Sequence, residues 1–144
     1  MEPFEIQFRA APEDIDDLNH VNNIVYLRWV QAAAVAHWQS IASPQAQQET
    51  VWVVLRHEID YKSPALVDEF VTARTWVGMA KGLIFERHTE IVRDQEPRLL
   101  ARARTLWCPV STETGRPKRI DRKLRAQFSS ETTRTEKGGA CDPK

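Results

Sequence analysis

The chain has 144 residues, enough for one domain with a proper core. Hydrophobic residues make up 42%, which excludes a disordered polymer, and twenty basic against twenty acidic residues leave no net charge with which to hold nucleic acid. The two cysteines, Cys108 and Cys141, have no metal or redox spacing, and no apolar run is long enough to span a bilayer. The N-terminus lacks the basic and apolar segments of a secretory signal, so two free thiols in a cytoplasmic protein are the expectation.

Residues 3–10 (PFEIQFRA) alternate, with Phe4, Ile6 and Phe8 on one face, and read as a half-buried strand. Residues 11–19 are punctuated by Pro and Asp and read as a loop. Residues 23–41 give one long helical pattern without Gly or Pro, with Asn22 or Asn23 as N-cap. Arg28, Gln31 and Gln39 form a narrow polar stripe. Val25, Tyr26, Trp29, Val30, Ala33, Ala34 and Trp38 occupy most of the rest, so the helix is expected to be largely buried. Ser43-Pro44 ends it, and residues 45–50 read as a polar connector.

Four strand patterns follow. Residues 51–61 place Val53, Leu55, His57, Ile59 and Tyr61 on one side. Residues 67–78 are rich in Val, Thr and aromatics, and Met79 to Gly82 read as a tight connection. Residues 83–92 and 98–110 complete the set, joined by a turn over Asp94 to Pro97. In the last strand Leu99, Ala101, Ala103, Thr105 and Trp107 face one way, and Arg98, Arg102 and Arg104 the other. A loop over 111–119 and a short helix over 121–128 come next. The domain is expected to span 1–128, with 129–144 a polar, mobile tail. The pattern is α+β: a five-stranded antiparallel sheet wrapped around one long central helix. Its apolar edges and outer face, where Trp76 lies, call for a partner copy, so a homodimer or homotetramer is expected.

The chemistry concentrates in residues 14–23, where Asp14, Asp16, Asp17, His20, Asn22 and Asn23 run straight into the helix. A helix start presents unpaired N–H groups and partial positive charge, which favour a developing oxyanion. A carboxylate just upstream supplies the base or nucleophile that acyl transfer needs. By spacing alone the commoner reading of such a cluster is a set of caps and turn residues.

The string Asp16-x-x-x-His20-Val21-Asn22-Asn23-x-x-Tyr26 resembles the signature of hotdog-fold thioesterases of the 4-hydroxybenzoyl-CoA thioesterase class, a group that includes bacterial acyl-CoA thioesterases. It is also similar to a string of acyl-ACP thioesterases, with Asn19 in place of Gln. Ile59-Asp60-Tyr61-x-x-Pro64-Ala65-x-x-Asp68 and Ala101-x-Ala103-x-Thr105 followed by Thr114-Gly115-Arg116-Pro117 resemble later elements of the same family, so the likeness runs over about residues 4–125. Val67 and Asn19 stand where many members have Gly. The resemblance implies a hotdog fold and hydrolysis of a fatty or aromatic acyl-CoA to free acid and CoA. It implies Asp16 as the carboxylate, the N–H near Asn23 as carbonyl donor, and His20 as either a catalytic aid or a holder of the loop. No cofactor or metal is implied.

Asn22, Tyr26 and His57 are candidate substrate-binding residues; a histidine placed as His57 is more often buried and hydrogen-bonded. Asp14 and Asp17 are the lesser carboxylates. Ser40, Ser43, Ser63 and Ser111 lack a nucleophile-elbow context. Arg56, Arg74, Arg87, Arg102 and Arg104 read as a solvated face laced with Glu58, Glu86 and Glu90, a few of them available to CoA phosphates. The competing readings are an acyl-ACP thioesterase and an acyl-thioester-binding hotdog protein without turnover.

Overall fold

In the computed structural model, which describes residues 3–128, five strands make one antiparallel sheet in the order β1-β3-β4-β5-β2. The strands are β1 (Phe4–Arg9), β2 (Thr50–Tyr61), β3 (Phe70–Lys81), β4 (Ile84–Arg93) and β5 (Arg98–Ser111). The helices are α1 (Asn23–Ile41), α2 (Pro44–Glu49) and α3 (Arg122–Phe128). The tail from Ser129 onward, with Cys141, lies outside the described residues.

Helix α1 starts where its sequence signal places it. Asn22 is the N-cap: its side-chain oxygen accepts from the Ile24 N–H at 3.0 Å. Seven apolar residues, Val25, Tyr26, Trp29, Val30, Ala33, Ala34 and Trp38, are buried against the sheet. Ile24, Arg28, Gln31, Val35 and Gln39 recur at helical spacing along the exposed stripe. The core divides in two along the helix. Tyr26, Trp29 and Val30 pack with Val71, Ile91 and Leu100, while Trp38 and Ala42 pack with Val77 and Phe85.

Four details of the chain path depart from the sequence expectations. The connector after α1 is a short helix: Ser43 caps it by accepting from the Ala46 N–H at 3.0 Å, and Pro44 takes a first-turn position, where its missing N–H costs nothing. In β2 a bulge at Leu55 resets the alternation. His57, Ile59 and Tyr61 face the helix, but before the bulge Thr50 and Trp52 do so, and Val53 and Leu55 are exposed. In β5 the extra residue is Leu100. It takes the core place expected of Leu99, which pairs with Val92 on the outer face. The β3–β4 connection is also tighter than expected, because β3 runs to Lys81 and only Gly82 and Leu83 turn, with Gly82 at φ +63°.

The outer face carries a charged lattice. Arg74 meets Glu5 at 3.2 Å and Glu90 at 3.5 Å, Arg102 meets Glu90 at 3.6 Å, and Arg104 pairs with Glu86 and Glu58. Trp76 stacks on His88 within this surface. Arg87 does not belong to it. In β4 the residues Phe85, Arg87, Thr89 and Ile91 are buried, so Arg87 lies beneath α1, only 2% exposed.

Candidate active site

Residues 12–14 form a single 3-10 turn, after which Ile15 bridges to Val21 and closes a tight loop. The loop is built around Asp16. Its backbone N–H donates to the His20 carbonyl at 2.8 Å, and its carbonyl accepts from the Asn19 N–H at 3.0 Å. Its side-chain Oδ1 accepts from the N–H groups of Leu18 at 2.9 Å and His20 at 3.2 Å. Asn19 adopts φ +64°, the left-handed region. Asn reaches that region more readily than most residues, so it keeps the conformation that Gly would take there.

Asp14 has a different fate. It is 6% exposed; Oδ1 accepts from Arg28 of α1 at 2.8 Å and Oδ2 from the Ala11 N–H at 3.0 Å. Burial alone would push its pKa up, but the Arg28 and Ala11 hydrogen bonds and the Arg28 charge outweigh that and hold it below the ordinary value. Asp14 therefore ties the loop to the helix. Asp17 is exposed.

The loop is also fastened from the far side. The Val21 N–H donates to the Ala65 carbonyl at 2.9 Å, and the Asn22 N–H to the Asp14 carbonyl at 2.8 Å. The Tyr26 hydroxyl, buried under the helix, accepts from the Ala65 N–H at 2.9 Å. Burial raises the Tyr26 pKa, so the phenol stays neutral. Near Val67 the chain turns through Asp68 at φ +67°, with the Asp68 carboxylate on Arg9.

Asp16, His20, Asn22, Asn23 and Tyr26 line one cleft of about 370 Å³. Asp16 and His20 are half-buried, and Asn22 and Asn23 are exposed at the helix start. Asn22 is occupied as the cap. The Asn23 N–H, one of the first-turn donors, has no acceptor among the described residues. His57 does not line this cleft: it sits under the sheet with Nδ1 3.0 Å from the Thr105 hydroxyl, and burial lowers its pKa.

The opposite wall was missed by sequence reasoning. Tyr61, Lys62, Ser63 and Pro64 form it. The Tyr61 hydroxyl donates to the Asn23 carbonyl at 3.2 Å, and the Lys62 and Ser63 N–H groups donate to the carbonyl of the bulged Leu100. The signal in the sequence was the Tyr61-x-x-Pro64 string, which marks a strand end and a turn and not what they face.

A carboxylate and an unoccupied helix-start N–H thus share one cleft, the arrangement expected for acyl transfer. Residues 10–128 match the family model described as the thioesterase-like superfamily. The chain belongs to that superfamily. It is a thioester hydrolase with the hotdog fold. Solved structures with the same fold include the DHNA-CoA thioesterase of Staphylococcus aureus, at TM-score 0.82 and 19% identity over 96% of each chain. Slr0204 of Synechocystis, a 1,4-dihydroxy-2-naphthoyl-CoA thioesterase, superposes at 0.75 with 18% identity over 87% of this chain and 94% of its own. YbaW of Escherichia coli superposes at 0.77 with 20% identity, over 89% and 98%. A comparison with curated protein sequences gives no match. Among the described residues no helix is long and apolar enough to cross a membrane.

Proposed function

We propose that this thioesterase cleaves acyl-CoA, with Asp16 as its working carboxylate and the Asn23 N–H as oxyanion donor. One observation carries the reading: Asp16, its Oδ1 held by two backbone N–H groups, opens on the same cleft as the first N–H of α1. Oδ2 takes no hydrogen bond among the described residues, so one oxygen is anchored and the other is left for the reaction.

Two steps are open to Oδ2. It can attack the thioester carbon, expelling the CoA thiolate and leaving a mixed anhydride that water then cleaves. Alternatively it takes a proton from a water that attacks the same carbon. In either case the carbonyl oxygen becomes anionic beside the Asn23 N–H, and one such donor is typically worth about 2.7–4 kcal/mol. His20 lines the cleft and gives its backbone N–H to Asp16, so it serves first to hold the loop. Lys62, exposed on the rim, is placed to meet anionic parts of CoA.

The same proposal includes a homodimer. Strand β2 is an outer strand of the sheet, twelve residues long, with Val51, Val53, Leu55 and Tyr61 exposed. A long apolar edge of this kind is a template for pairing. A two-fold β2–β2 pair about the strand's midpoint sets Thr50–Trp52 of one copy beside Tyr61 of the other, and so beside the partner's cleft.

A panel of short, long and aromatic acyl-CoA substrates, read by free-thiol release, tests the proposal. Release from at least one class is expected. No release from any, with acyl carrier protein thioesters cleaved instead, would replace CoA by the carrier protein.

A further inference from the structure

A second cavity, of about 330 Å³, lies between the C-terminal half of α1 and the inner face of the sheet. Its walls are mainly apolar, with Trp38, Trp52, Phe85 and Trp107 the large side chains. Gln39, Gln47 and Thr50 are polar residues of the cavity lining, and two buried donors stand beside them. Arg87 lines it while 2% exposed, and its guanidinium donates to the Thr75 hydroxyl at 3.0 Å. Trp107 is 7% exposed, and its indole N–H is buried with no hydrogen-bond partner among the described residues. None of the described residues lining the cavity is a carboxylate.

A buried cation is expensive to keep, and an apolar residue of like volume is often the more stable choice at such a place. An unmatched buried donor is costly too. The cavity bears both costs on one wall, and both are donors. The guanidinium nonetheless keeps its charged, donating form. His37 places Nδ1 3.1 Å from it. Burial, aided by the Arg87 charge, brings the His37 pKa down to about 3, so the imidazole stays neutral and accepts. Burial lowers Arg87 itself to about 9, which leaves it protonated at neutral pH.

We propose that this cavity receives the acyl group of the substrate, and that Arg87 and Trp107 select acyl groups with a carboxylate at the end remote from the thioester. This rests on the Asp16 reading and on the β2-paired dimer, in which Thr50–Trp52 on the cavity rim lie beside the partner's cleft. The aromatic walls take the hydrocarbon, and the two donors take the anionic oxygens.

The test compares two CoA thioesters of equal acyl length, one ending in a carboxylate and one in a methyl group. The wild type should favour the carboxylate in kcat/KM by about tenfold or more, carried mainly in KM. Arg87→Met should bring the ratio near one, Trp107→Phe should lower it in part, and Arg87→Lys should restore part of what Met removes. A ratio near one in the wild type, or one unchanged by Arg87→Met in a variant with native circular dichroism, overturns the proposal. Calorimetry separates it from the Asp16 reading. An alkyl carboxylate should bind the wild type about tenfold more tightly than Arg87→Met, whereas the alcohol of the same length should not distinguish them. Arg87-dependent binding without turnover of either thioester would sink the Asp16 reading and leave this one standing; turnover with no Arg87 dependence would do the reverse.

Discussion

Arg28 of α1 lies 2.8 Å from Asp14, two residues before Asp16 in the chain. That contact separates the work of two neighbouring carboxylates. Asp14 is spent on fastening the loop, which leaves Asp16 facing the cleft. Because folding lowers the Asp14 pKa below its ordinary 3.8, the native state binds fewer protons there than the unfolded chain. The contribution to stability is thus present above the ordinary value and lost as pH falls through the folded one. Urea midpoints measured from about pH 5 to about pH 2 should fall, and Asp14→Asn should make that fall shallower. At neutral pH the variant should lose about 1 kcal/mol, since Arg28 is mostly exposed and can turn to water. An identical slope in the variant would remove Asp14 from this role.

The N-cap offers a second check. Asn22→Ala removes the acceptor of the Ile24 N–H and should cost about 1 kcal/mol by urea denaturation. It also loosens the backbone that aims the Asn23 N–H, so kcat should fall more than stability alone explains. Asn22→Ser, which keeps a capping oxygen, should recover most of both. A cap variant with wild-type kcat would mean that the helix start does not position the oxyanion donor.

The dimer makes a third prediction. Val53 lies exposed on the edge strand, and Val53→Lys sets a charge on each side of the two-fold axis. Sedimentation should show the wild type as a dimer and the variant shifted toward monomer, with activity rising with protein concentration. A monomeric wild type with full activity would contradict the paired-edge arrangement.

These experiments follow the parts of the molecule its sequence made legible. Helix α1 was readable to its ends because the cap, the absence of Gly and Pro and the Ser-Pro stop all agree. The Asp16 cluster was readable because it is local, within ten residues of chain. What was not readable depends on contacts between distant segments. The bulges at Leu55 and Leu100 move whole runs of side chains to the other face, and no local pattern marks them. Arg87 looked like one of a row of surface arginines, since composition does not tell which face of a strand is buried. The wall of Tyr61 to Pro64 reaches the site only when β2 folds back past the helix start. The short helix α2 is different, for Ser43-Pro44 is a start signal as well as a stop.

The order of events at Asp16 is open to an experiment over many turnovers in oxygen-18 water. Attack by Oδ2, with water then opening the anhydride at the Asp16 carbonyl carbon, predicts that label enters the Asp16 carboxylate, found by mass spectrometry of the peptide around it. General-base action predicts label in the product acid alone. Label in the carboxylate places Asp16 at the reaction centre, label in the product acid alone leaves its part to the Asp16→Asn variant, and label in neither would remove hydrolysis itself.

The central claim is that Asp16 performs the chemistry, and free-thiol release by Asp16→Asn tests it most directly. Asn keeps an oxygen for the Leu18 and His20 N–H groups, so the loop and fold should survive. The expected result is native circular dichroism with kcat lowered by roughly three orders of magnitude or more on the best acyl-CoA. A folded Asp16→Asn variant that releases thiol at close to the wild-type rate would contradict the account.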